Sequence, residues 1–129
     1  KFKKYVTQKV EYISSIDATI MGSRNGHSPL FINQCIQQRG ESGFREDIYR
    51  CLYLAQWFTN LMKSHNIDAW MNKHSITVVF PRPSDSLIKK WSLATEKEIS
   101  HVIVMPHVDK SMLQEFLYDY LQEKSENEV

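Results

Sequence analysis

The sequence predicts an α+β fold in which a small, mostly antiparallel sheet is covered by helices. Apolar residues recur at three- and four-residue steps in three segments, which indicates amphipathic helices. Between these segments lie short apolar runs, ended by proline or turn residues, which indicate strands. From about residue 44 the predicted order is α-β-β-α-β-α, which is typical of helices packed on one small sheet.

Length and charge limit the classes of protein that the chain can represent. Its 129 residues, 42% of them hydrophobic, suffice for one hydrophobic core. The formal net charge of +1 lacks the basic excess expected of a protein that binds nucleic acid or a membrane surface. No apolar run approaches the roughly 18–20 residues of a membrane span, so no contact with a membrane is expected.

The first third of the chain predicts helices separated by a polar loop. Residues 2–14 carry a loose helical period, and a polar stretch with two glycines follows at 17–27. Ser28 is predicted to cap the next helix, with Pro29 at its first position. The segment 40–43, which contains two glycines, is predicted to break that helix.

The strongest helical pattern begins at residue 44. Glu46 and Asp47 favour its N-terminus, and Lys63 and His65 favour its C-terminus. The apolar positions of this helix are predicted to form one buried face: Phe44, Ile48, Cys51, Leu52, Ala55, Phe58 and Met62.

Strands and a short helix are predicted next. Residues 67–71 and 76–80 read as strands, and Pro81 ends the second of them. Ser84 or Asp85 is predicted to cap a short helix. Its inward residues are predicted to be Leu87, Ile88, Trp91 and Ala94.

One more strand and one more helix complete the prediction. Residues 99–105 form an apolar strand that Pro106 ends, and Asp109 caps the last helix. Its buried face is predicted to be Met112, Leu113, Phe116, Leu117, Tyr120 and Leu121.

Cysteine usage indicates the cellular compartment. Cys35 and Cys51 each lie in an apolar helical pattern, so both are predicted to be small buried side chains without a disulfide. Reduced thiols are typical of a cytoplasmic protein.

The sequence contains two candidate binding sites. In the polar loop 22–27, the Arg24 guanidinium could bind a carboxylate or phosphate, although the spacing alone favours a structural arginine in a helix connection. His101 lies inside an apolar strand, either as a buried histidine bonded to the backbone or as a group facing a ligand at the edge of a cleft. The spacing of His101 and His107 matches no zinc signature, so no metal site is predicted.

Four segments carry a resemblance to a known family. Residues 17–29, DATIMGSRNGHSP, resemble the D-x-T-I-x-G-S-R-N-G-H segment of pyridoxal-phosphate-dependent histidine decarboxylases, which are group II amino acid decarboxylases close to plant serine decarboxylases. Residues 75–84, 90–95 and 99–104 continue the similarity in the same order, so that it extends from about residue 5 to residue 122.

The resemblance implies the fold of type I pyridoxal-phosphate enzymes. Residues 1–43 are then the end of the large, cofactor-binding domain and the helix between domains, and residues 44–129 are the C-terminal small α+β domain. The family attaches its cofactor through a lysine in an S-x-H-K motif, and Lys73-His74-Ser75 has the wrong order. The resemblance therefore implies that the lysine lies outside this chain, which supplies no catalytic residue and is inactive alone.

The implied activity belongs to the complete enzyme. It is the conversion of L-histidine to histamine and carbon dioxide, with the rest of the decarboxylase chain and a second subunit as partners and the active site at their interface. A serine decarboxylase and a non-catalytic dimerisation or interaction module are the alternatives.

The resemblance also assigns three substrate-binding residues. Ser23 and Arg24 occupy the segment that approaches the substrate side chain across the dimer interface in related decarboxylases. His101 lies where glutamate decarboxylases place an arginine that receives the substrate carboxylate.

Overall fold

The chain divides into two compact units, residues 1–40 and 41–129. A computed structural model describes residues 8–10, 15–17 and 25–127, with side chains from residue 25 to residue 125. In the described part of the chain, no helix has the length and apolar character needed to cross a membrane.

The first unit contains a two-stranded antiparallel pair. Strand β1 (Gln8–Val10) pairs with β2 (Ser15–Asp17), and Lys9 lies opposite Ile16. The helical prediction for residues 2–14 is therefore wrong at β1. Apolar positions there recur too loosely to separate a helical period from the two-residue period of a strand.

Helix α1 (His27–Ser64) begins two residues before Pro29, the predicted first position. The Asn25 side chain accepts a hydrogen bond from the His27 backbone N–H at 2.9 Å, so Asn25 starts the helix in place of Ser28. Pro29 lies in the first turn, where its missing N–H costs no hydrogen bond. The predicted break is confirmed at Gly40, which has φ 60° and ψ −177°, in the left-handed range that favours glycine.

The predicted buried face of α1 is only half correct. Cys51, Ala55 and Phe58 are buried as predicted. Phe44 and Ile48 are 41% and 57% exposed, because the buried residues of the helix begin at Cys51, where the rest of the second unit packs against it. The cysteines follow the same division: both are free, but Cys51 is buried and Cys35 is exposed, contrary to the prediction for Cys35.

The second unit contains a three-stranded antiparallel sheet, which confirms the predicted fold class. Its strands are β3 (Thr77–Pro81), β4 (Ala94–Glu96) and β5 (Ile99–Ile103), in the order β3-β5-β4. The sequence did not predict β4, whose first residue, Ala94, was assigned to a helix. That helix, α2 (Asp85–Trp91), ends because Ser92 adopts a left-handed conformation.

The strand predicted over residues 67–71 is wrong. Trp70 alone forms an isolated bridge to Val79, with two backbone hydrogen bonds of 2.9 Å. The Ala69 N–H bonds to the Ile67 carbonyl at 2.8 Å, and this tight turn leaves the segment too bent to continue as a strand.

Two helix caps are where the sequence predicts them. The Ser84 side chain accepts a hydrogen bond from the Leu87 N–H at 3.3 Å at the start of α2. The Asp109 carboxylate accepts one from the Met112 N–H at 2.9 Å at the start of α3 (Lys110–Asn127). Both caps satisfy backbone N–H groups that have no partner within their helix.

The core of the second unit lies between one face of the sheet and helices α1 and α3. Phe116 is at its centre, because its ring contacts four other aromatic rings at centroid distances of 5.4–6.1 Å: those of Phe58, Phe80, Trp91 and Tyr120. Trp57 and Trp91 pack against this core, whereas Trp70 is exposed.

Ser100 of β5 is fully buried, and within the described part of the chain its hydroxyl has no hydrogen-bond partner. We expect Ser100→Ala to leave the free energy of unfolding unchanged or to raise it, because the substitution removes an unpaired buried polar atom. Ser84→Ala is the matched comparison, and its free energy of unfolding should fall by about 1 kcal/mol because the substitution removes the helix cap. Chemical denaturation measures both, and a loss of more than about 1 kcal/mol for Ser100→Ala would show that the hydroxyl has a bonded partner.

Candidate functional site

Of the three residues assigned to substrate binding, one lies in the described part of the chain. Ser23 and Arg24 lie outside it, so their roles stay predictions. His101 lies at the middle of β5, the central strand, between Val79 on β3 and Ala94 on β4.

The His101 side chain belongs to the face of the sheet that points away from the core. Alternate residues of a strand face opposite sides, and neighbouring Ser100 is fully buried. Ile99 and Ile103, which share the parity of His101, are 40% and 48% exposed. His101 itself is half-buried, and in the described residues no hydrogen bond reaches its ring. This placement favours a group that faces a ligand over a buried histidine bonded to the backbone.

A cavity of about 360 Å³ lies beside His101 at the edge of the sheet. Strand β4 pairs with β5 only as far as Ala94, opposite His101, so the last residues of β5 have no β4 partner. The space left there is lined on its apolar side mainly by Trp91, Leu93, Val102, Met112, Leu113 and Phe116. A volume of this size is within the range of small-molecule sites.

The aromatic wall of the cavity is held in position by Asp119. The Trp91 indole N–H donates a hydrogen bond to the Asp119 carboxylate at 2.8 Å, and Lys90 Nζ lies 2.6 Å from the same oxygen. The hydrogen bond from Lys90, followed by that from Trp91, lowers the pKa of Asp119 below its usual value. The Trp91 ring also meets Phe116 edge-on at 5.5 Å, which fixes its orientation further.

A second histidine, His107, lines the same cavity. It lies in the turn after β5, which a hydrogen bond from the Val108 N–H to the Met105 carbonyl closes at 2.9 Å. Arg50 of α1 donates a hydrogen bond to the Pro106 carbonyl in this turn. Sequence reasoning considered His107 only as a metal ligand. Its place after the proline that ends a strand was the one signal that it lies at the sheet edge.

The lining of the cavity does not fit the attachment of pyridoxal phosphate, the cofactor that the resemblance implies. Attachment of that cofactor needs a lysine amine, and in the described part of the chain no lysine lines the cavity. His101, His107 and Ser92 are the polar residues that line it, and the described residues contain no group of three side chains suited to a metal ion. Any residues that hold the cofactor implied by the resemblance would therefore have to come from outside this site.

Comparison with known proteins identifies the relatives of the chain. No protein-family model matches it. The chain is 40% identical over 121 residues to serine decarboxylase 1 of Oryza sativa subsp. japonica, covering 93% of this chain and 25% of the rice protein. It is also 40% identical over 114 residues to histidine decarboxylase of Vibrio campbellii, covering 88% of this chain and 30% of that protein.

Solved structures agree with the sequence relatives. L-methionine decarboxylase from Streptomyces sp. 590, in its internal aldimine form, superposes with a TM-score of 0.74 at 28% identity, covering 90% of this chain and 26% of that one. The chain thus spans only about a quarter to a third of the length of the relatives it matches. The resemblance predicted from the four sequence segments is confirmed: over most of its length the chain is similar to a part of histidine and serine decarboxylases.

Proposed function

We propose that the complete protein is a pyridoxal-phosphate-dependent decarboxylase that converts L-histidine to histamine and carbon dioxide. The observation that carries this proposal is the position of His101, on the open face of the sheet and in the wall of a cavity with the volume of a small-molecule site. It occurs in a chain that is 40% identical to a bacterial histidine decarboxylase.

In this proposal the chain positions the substrate. Pyridoxal phosphate, attached by a lysine outside this chain, supplies the electron sink for the loss of carbon dioxide when it is bound. His101 donates a hydrogen bond to the substrate carboxylate. An imidazole holds a carboxylate less tightly than the two-pronged guanidinium of arginine, so the group that leaves is held without being over-stabilised before the transition state.

The substrate side chain is the second element of the proposal. Ser23 and Arg24 approach it across the subunit interface, where the serine hydroxyl bonds the imidazole of histidine. Aromatic and apolar residues also line the cavity, among them Trp91, Met112 and Phe116. Such a wall favours a ring-bearing substrate such as histidine over serine, whose side chain is small and polar.

The partners follow from the same proposal. The rest of the decarboxylase chain and a second subunit complete the active site in a cytoplasmic homodimer. Exposed apolar residues at the start of the second unit, such as Phe44 and Ile48, support a covering partner. Free Cys35 and Cys51 agree with a reducing compartment.

The serine decarboxylase alternative has one specific observation in its favour, the 40% identity to the rice enzyme. A single assay separates the two substrates. The complete enzyme, loaded with pyridoxal phosphate, is incubated with L-histidine or with L-serine, and the amine product is quantified by chromatography.

We expect histamine from histidine and little ethanolamine from serine. Ethanolamine as the main product would replace the proposal with serine decarboxylation. Failure to form either amine, with the cofactor bound, would contradict both and support the interaction module.

A further inference from the structure

The His107 imidazole has no role in the function proposed above. It lines the same cavity as His101, although the two residues lie on different segments, a strand and the turn that follows it. We propose that His107 is a second hydrogen-bond donor to the substrate carboxylate, so that the two imidazoles hold it together. This inference rests on the proposed function, because it concerns the carboxylate that the reaction removes.

The polar and charged residue types that line the cavity, and those that do not, favour an anion as its ligand. A carboxylate has two oxygens that accept hydrogen bonds, and an imidazole offers one N–H when neutral and two when protonated. In the described part of the chain, no aspartate or glutamate lines the cavity to compete for these donors. No arginine or lysine lines it either, so an anion that enters has the two imidazoles as its strongest partners.

The apolar part of the cavity determines which carboxylates fit. Trp91, Met112 and Phe116 line it, and the hydrogen bond to Asp119 holds the Trp91 ring in place. A small organic acid with an apolar or aromatic group can bury that group here while its carboxylate meets the imidazoles. An inorganic anion would leave this apolar surface uncovered.

Helix α1 holds the turn that carries His107. The Arg50 guanidinium bonds to the Pro106 carbonyl, next to His107 in the chain. Lys110, which follows the turn, places its ammonium 5.3 Å and 5.2 Å from the ring centroids of Tyr53 and Trp57. The turn is thus attached to α1 on both sides of His107. Arg50 is a positioning residue in this proposal, and His107 contacts the substrate.

The test uses the complete enzyme and two probes, which differ in the carboxylate. Imidazole-4-propionate keeps the ring and carboxylate of histidine but lacks the amino group, so it binds without reacting; 4-ethylimidazole lacks the carboxylate as well. Dissociation constants are measured by calorimetry for the wild type, His107→Ala and His107→Gln. The control is His65→Gln, which changes an exposed histidine at the end of α1 that lies outside the cavity.

We expect His107→Ala to raise the dissociation constant of imidazole-4-propionate about tenfold, because one hydrogen bond to a charged group is lost. Binding of 4-ethylimidazole should stay unchanged. His107→Gln, which keeps an N–H donor, should recover part of the affinity, and His65→Gln should match the wild type. In steady-state assays with histidine, His107→Ala should raise KM more than it lowers kcat.

Two results for His107→Ala would overturn the inference. The first is an equal loss of affinity for both probes, which indicates a structural role, and the second is an unchanged affinity for imidazole-4-propionate. Neither depends on turnover, so the inference and the proposed function fail separately. The complete enzyme could form no histamine while His107→Ala still weakens the binding of imidazole-4-propionate alone. That result would contradict the proposed reaction but support His107 as a carboxylate-binding residue.

Discussion

Replacing Phe116 with alanine is expected to destabilise the protein by about 3–5 kcal/mol, the usual cost of removing a large aromatic side chain from a core. Phe116 is 2% exposed, and its ring contacts four other aromatic rings. Alanine would leave a cavity between the sheet and helices α1 and α3 that these rings cannot fill without leaving their own contacts. Chemical denaturation followed by tryptophan fluorescence measures the change.

The matched control lies two residues further along the same helix. Tyr118 is 63% exposed, so Tyr118→Ala should change the free energy of unfolding by less than about 0.5 kcal/mol. A loss below about 1 kcal/mol for Phe116→Ala would mean that the core rearranges around the missing ring. Phe116 also lines the cavity, so the same variant should weaken binding of ring-bearing ligands.

Replacing His101 with alanine is expected to lower kcat/KM for histidine by about 10- to 100-fold in the complete enzyme. The loss of one hydrogen bond to a charged group, about 1.5–3 kcal/mol, corresponds to this range. His101 lies on the outer face of the sheet and is half-buried, so alanine removes the donor without opening a hole in the core. Stability should therefore stay close to that of the wild type.

Initial rates over a range of histidine concentrations test this, with melting temperatures as the check on folding. His101→Gln keeps a donor and should retain more activity than His101→Ala. Thr95→Ala is the control, because Thr95 is exposed on the neighbouring strand and lies outside the cavity. Wild-type values of kcat/KM in His101→Ala would remove His101 from the substrate site.

Local signals explain why several elements were predicted correctly. Each of these caps is a contact between residues three apart in the chain. Ser84 and Asp109 therefore marked the starts of their helices independently of residues distant in the sequence. Gly40 marked the break in α1 because its backbone conformation is open mainly to glycine. The apolar period of α3 identified most of its buried face, since a long helix repeats its pattern over many turns, but Met112, in the first turn, is 41% exposed and not buried as predicted.

The predictions that failed depended on distant partners. Strand β4 has only three residues, and its pairing with β5 defines it as a strand. Residues 67–71 have the composition of a strand, but only Trp70 finds a partner, Val79. Phe44 and Ile48 follow the helical period of the buried face and are nevertheless exposed, since periodicity cannot show where the packing against a helix ends.

The sequence by itself determined the resemblance to histidine and serine decarboxylases, the α+β class, the main helices with most of their caps, and the choice of His101 as a candidate. These depend on motifs and on contacts close in the chain. Only the tertiary structure showed which face of the sheet His101 occupies, and only it brought His107 to the same cavity. The cavity lies where β5 continues beyond His101, its last residue paired with β4, and residues of α2, α3 and the turn after β5 line the remaining space. Such an enclosure depends on the relative positions of separate elements, which no local pattern encodes.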